Sequence, residues 1–75
     1  MVKYKNLNGN SSVISYEIGK DYIIVEFSDS SQYKYSYTSA GAANIEQMKL
    51  LAEQGRGLNS FIMLCVRTAY ESKLK

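Results

Sequence analysis

The stretch "QYKYSYT", residues 32–38, places tyrosines at positions 33, 35 and 37. Side chains two apart on an extended strand share one face. The intervening Gln32, Lys34 and Ser36 are polar and cannot line a core, so the pattern turns Tyr33, Tyr35 and Tyr37 inward. There they are expected to pack with Ile23, Val25 and Phe27, their hydroxyls finding partners at the sheet rim. The competing reading is a solvent-facing row on which nucleic-acid bases stack.

The neighbouring sequence supplies the partners for such a strand. "YIIVEFS", 22–28, is β-branched and aromatic, and "SDSS", 28–31, closes a hairpin onto the tyrosine strand. Upstream, residues 12–18 alternate, with Ile14, Tyr16 and Ile18 on one face and Val13, Ser15 and Glu17 on the other. "GKD", 19–21, is a turn. These connections are too short for a parallel crossover, so the reading is a three-stranded antiparallel meander. On its outer face Val13, Tyr22 and Ile24 form an apolar spot, a candidate interaction surface for a protein partner or a homodimer. Residues 1–10 read as a flexible N-terminal arm, with an edge strand at Val2–Tyr4 as the lesser alternative.

Two helices follow. In "AANIEQMKLLAEQG", Ala42, Ile45, Met48, Leu51 and Ala52 recur at helical spacing, while Glu46, Lys49 and Glu53 face away. Asn44 or Ser39 is a start signal, and Gly55 a left-handed stop. After "GRGLN", Asn59 or Ser60 caps a second helix whose stripe is Phe61, Ile62, Cys65, Val66, Ala69 and Tyr70, with helical sequence expected on to Lys75. The expected architecture is α+β, with order β-β-β-α-α, the helices covering one sheet face and residues 11–75 forming a single domain.

Composition narrows the chemistry. Seventy-five residues suffice for one domain, and with one cysteine and no histidine neither an intrachain disulfide nor a zinc cluster holds it together. The beginning of the chain has no apolar signal region and no segment approaches spanning length, so a cytoplasmic protein without a membrane partner is expected. Nine basic and seven acidic residues give a net charge of +2, with no linear basic patch. Glu46 and Glu53 share a helical face with Lys49 and read as a solvated surface. Cys65, among apolar neighbours, reads as buried and inert. No catalytic residue, metal or cofactor is expected. "GRG", 55–57, either lets the chain reverse between helices or, through free N–H groups and Arg56, holds a phosphate or carboxylate.

Tyr33-Lys34-Tyr35 resembles the central Y-x-Y motif of the KTSC domain, a family named for the C-terminus of some lysyl-tRNA synthetases. "SSVISYEIGKDYIIVEFSDSSQYKY" is similar to that domain's opening strand pair. "LAEQGRGLNSFI", 51–62, resembles its closing segment through Gly55, Arg56, Leu58, Asn59 and Ile62. The likeness spans about residues 11–62 and extends to stand-alone bacterial and phage versions. Leu58 stands where the family usually has an aromatic residue, and the proline common before the first helix is missing from "TSAGAAN". The resemblance implies a small non-catalytic module with weak affinity for RNA or single-stranded nucleic acid, and directs interest to Tyr33, Tyr35, Arg56 and Asn59. Lys34, Arg56 and the N-terminal Lys3 and Lys5 would neutralise phosphates. The alternative expectation is a protein-interaction module.

Overall fold

The computed structural model of the protein describes residues 1–9 and 11–75. Among them the chain forms five strands: β1 (Val2–Lys3), β2 (Val13–Ile18), β3 (Tyr22–Phe27), β4 (Gln32–Ser36) and β5 (Ser72–Lys73). They pair antiparallel in the order β1-β2-β3-β4-β5. Between β4 and β5 lie α1 (Tyr37–Ala40), α2 (Ala42–Gln54), α3 (Leu58–Phe61) and a π-helical segment, Ile62–Val66. The expected small α+β domain with an antiparallel sheet is present. Its sheet gains a strand at each edge, and its helical region is divided differently.

The tyrosine row breaks after its second member. Tyr35 is 2 % exposed and Tyr33 half-buried, but β4 ends at Ser36. The Ser36 hydroxyl accepts from the Ser39 N–H at 3.2 Å, and the Ser39 hydroxyl accepts from the Ser36 N–H at 3.0 Å. This reciprocal cap starts α1 and takes Tyr37 out of the strand. Tyr37 instead donates to Glu46 Oε2 at 2.6 Å. Neither Asn44 nor Ser39 caps α2, which begins after Gly41. The Asn44 amide donates back to the Ala40 carbonyl.

A register shift between Val13 and Ser15 changes the reading of β2. Val13 lies opposite Phe27, and Tyr16 opposite Val25, so both point into the core while Ile14 is displaced outward. A bulge has this consequence because the extra residue breaks the two-residue period. Val13, expected on an exposed interaction surface, is 1 % exposed. Tyr22 and Ile24 do lie on the outer face, half-buried.

The N-terminal segment takes the strand alternative. Val2 pairs with Tyr16 and Lys3 with Ser15, and Tyr4 reaches the core at 2 % exposure. Asn10, the last residue of the expected arm, lies outside the described residues. The segment docks on Gly55, whose φ of 80° closes α2 as a left-handed cap and whose carbonyl accepts from the Leu7 N–H. A β-carbon at Gly55 would stand 2.5 Å from Lys5 Cβ.

The second helix is the largest departure. Gly57, also left-handed, precedes α3, and neither Asn59 nor Ser60 caps it. Leu58, Ile62 and Val66 are buried, and the chain then leaves the helix. Glu71 N–H donates to the Lys34 carbonyl and Leu74 N–H to the Gln32 carbonyl, so residues expected to be helical form β5. Cys65, expected in the core, is exposed.

Ile23, Val25, Tyr35, Ile45, Met48, Ala52, Leu58, Ile62 and Val66 join Tyr4, Val13 and Tyr16 in one core. Val13→Glu is therefore expected to unfold the domain by burying an unpaired carboxylate. Gly55→Ala is expected to cost more than about 1 kcal/mol, because the left-handed backbone is strained and Lys5 must retreat. Hydrogen exchange at Leu7 N–H checks this directly, with faster exchange in the variant.

Candidate functional site

Two concavities lie at the end of the domain where β2 begins and the β3–β4 hairpin turns. The larger, a groove of about 370 Å³, is lined by Phe27, Tyr33, Tyr35 and Tyr70, together with Met63, Arg67 and Asp29. Alternation in β3 and β4 presents Phe27, Tyr33 and Tyr35, and the turn from Val66 to β5 returns Tyr70 onto them. The rings meet edge to face: Phe27 and Tyr33 at 5.8 Å between centroids, Tyr33 and Tyr70 at 4.7 Å, Tyr35 and Tyr70 at 6.3 Å.

Charge around this groove is mixed. Lys73 Nζ lies 5.7 Å from the Tyr33 ring centroid, within cation–π range. The hydroxyl and N–H of Ser31 donate to Asp29 and hold its carboxyl below the usual range. Burial pushes the Tyr35 hydroxyl up to about 12, aided by the neighbouring Tyr33 and Tyr70. Among the described residues no buried side-chain polar atom lacks a partner, and Tyr35 lines the groove.

The second concavity is polar and small, about 130 Å³, lined by Tyr4, Asn6, Asn8, Arg56, Asn59 and Ser60 among others. Its floor is tied to the core by Leu58 N–H, which donates to the Tyr4 hydroxyl at 3.3 Å. Ser12 bridges the two concavities, since it lines the groove and donates to Asn59 Oδ1 at 2.8 Å.

The five residues singled out from sequence therefore divide among three places. Tyr33 and Tyr35 line the aromatic groove, and Arg56 and Asn59 the polar pocket. Lys34 projects from the opposite sheet face, over the Tyr22 ring at 4.7 Å and 3.5 Å from Glu71. Tyr70, Arg67 and Met63 were absent from that expectation. The signal that was available is the loss of the helical apolar stripe after Tyr70, where "ESKLK" offers no further buried face. Of the carboxylates on α2, Glu46 is held below its usual range by the Tyr37 hydroxyl and then by Lys49, 2.9 Å away.

Comparison with family models, with curated proteins and with solved structures returned no match to this chain. No helix among the described residues is long and apolar enough to cross a membrane.

The elevated Tyr35 value has a signed consequence. Folding favours the neutral phenol, so this contribution is complete below the ordinary value of 10.0 and is lost as pH rises toward about 12. Denaturation followed across that interval should show wild type losing stability faster than Tyr35→Phe. Ultraviolet titration should show a phenol ionising near pH 12 in wild type that is missing from Tyr35→Phe.

Proposed function

We propose that the protein is a non-catalytic binding module for single-stranded nucleic acid, RNA included, whose contact surface is the aromatic groove. The observation that carries this reading is the gathering of Tyr33, Tyr35, Tyr70 and Phe27 in one open groove beside Arg67 and Lys73. A nucleobase is a flat π-system that stacks on aromatic walls regardless of sequence, and a neighbouring guanidinium meets the phosphate that follows it. Asp29, which lines the groove and whose carboxyl Ser31 holds below the usual range, accepts a hydrogen bond from a base amino group. The resemblance to the KTSC domain supports the same reading through Tyr33 and Tyr35. A net charge of +2 fits modest affinity rather than tight binding.

A second reading, contact with a protein or a second copy, has one observation in its favour. The π-helical segment leaves Leu64 85 % exposed beside the exposed Met63, a pairing that a partner would cover.

Fluorescence anisotropy with labelled single-stranded RNA and DNA at low salt tests the first reading. Tyr33→Ala is expected to weaken binding by about 1–3 kcal/mol. Arg67→Gln should weaken it across sequences and reduce the salt slope by about 1. Absence of binding by the folded wild-type protein would end this reading. Sedimentation showing a dimer that Leu64→Glu dissociates would favour the second.

A further inference from the structure

We infer that the polar pocket between the N-terminal segment and α3 is a binding site for a small oxyanion of phosphate type. It goes beyond the nucleobase groove and does not depend on it. The pocket is marked by the hydrogen-bonding ends that bonds among the described residues leave over.

Asn6 Oδ1 accepts from the Ser11 N–H at 3.1 Å. Because an N–H can only donate, the amide orientation is fixed, and the NH₂ end of Asn6 remains a donor. Asn59 Oδ1 accepts from the Ser12 hydroxyl, and in this orientation its NH₂ end is a further donor. The Tyr4 hydroxyl accepts from Leu58 N–H. Among the described residues the phenolic proton of Tyr4 has no acceptor, although this side chain is 2 % exposed and lines the pocket. Arg56 lines it too, and its guanidinium makes no ion pair among the described residues.

The residues around the pocket thus carry a cation and a set of donors with no acceptor among the described residues, and no carboxylate among the described lining residues. A cavity of about 130 Å³ suits a compact anion. A tetrahedral oxyanion offers acceptors in several directions at once, as this distribution of donors requires. Two main-chain N–H groups of this turn are already committed, Gly55 to the Leu51 carbonyl and Leu58 to Tyr4, so the site rests on side chains. The shared chemistry is a phosphate group, either free or at the end of an oligonucleotide.

Nitrogen-15 NMR titration tests the assignment, using inorganic phosphate against chloride at matched ionic strength. Saturable shifts are expected at Leu58 N–H and at the side-chain amides of Asn6 and Asn59, with Kd on the order of 1 mM. Arg56→Gln, an exposed position, should weaken binding about ten-fold, and Tyr4→Phe should weaken it while leaving Arg56 in place. Should Tyr4→Phe fail to fold, Arg56→Gln decides alone. Shifts that grow linearly and match those of chloride, or an affinity unchanged in Arg56→Gln, overturn the site. A 5′-phosphorylated dinucleotide that perturbs the pocket where its unphosphorylated counterpart does not assigns the source to a nucleic-acid end. Response to inorganic phosphate without response to that dinucleotide assigns it to the free anion. Failure of base stacking would appear only at Tyr33 and Tyr70, so the two readings fail separately.

Discussion

The burial of Ile45, Met48 and Ala52 in one core with Ile23, Val25 and Tyr35 is the constraint from which the remaining structure follows. The sheet has one apolar face, the chain has no disulfide, and a domain this small has little surface to spare. A helix of 13 residues extends about 20 Å and covers only the central strands. Beyond its C-terminal end the core must be completed by other means. Leu58, Ile62 and Val66 provide them as a single stripe at four-residue spacing, all buried.

That stripe also sets both concavities. Asn59 stands one position after Leu58 and faces the polar pocket; Met63 and Arg67, at the following four-residue steps, line the aromatic groove. The π-helical winding of Ile62–Val66 keeps the stripe inward and leaves Leu64 and Cys65 outside. π-helical turns are rare and concentrate at functional sites. Here the segment with unusual winding contributes Met63 to the lining of the aromatic groove.

The central strands and α2 were legible because their apolar periods are unbroken. The rest was hidden for identifiable physical reasons. The bulge at Ile14 inverts the face of Val13, and nothing in an alternating run of apolar residues announces an extra one. The expected helix over the last residues failed to a tertiary demand: β4 would otherwise present unpaired N–H and C=O groups along its outer edge. Pairing with β5 removes part of that edge, and the bonds from Glu71 and Leu74 to β4 outweigh a weak local preference. Tyr4 was hidden because one aromatic residue in a polar segment carries no period at all. For the candidate site, Tyr33, Tyr35 and Arg56 were visible by residue type and Asn59 only through the family resemblance, whereas Tyr70 and Arg67 became relevant only once the chain returned along β4.

Charge shows the same dependence on folding. In sequence the basic residues are scattered and the net charge of +2 is small. Folding pairs Lys34 with Glu71 and Lys49 with Glu46, which neutralises one cation on the outer sheet face and one on α2. Arg56 and Arg67 have no such partner among the described residues, and they line two concavities joined by the Ser12–Asn59 hydrogen bond. Exposed ion pairs of this kind contribute little to stability. Each pair removes one positive site from the electrostatic surface, while Arg56 and Arg67, without a carboxylate partner among the described residues, stand at the two concavities. An anionic ligand approaching a weakly charged protein is directed by such local charge, not by the total charge.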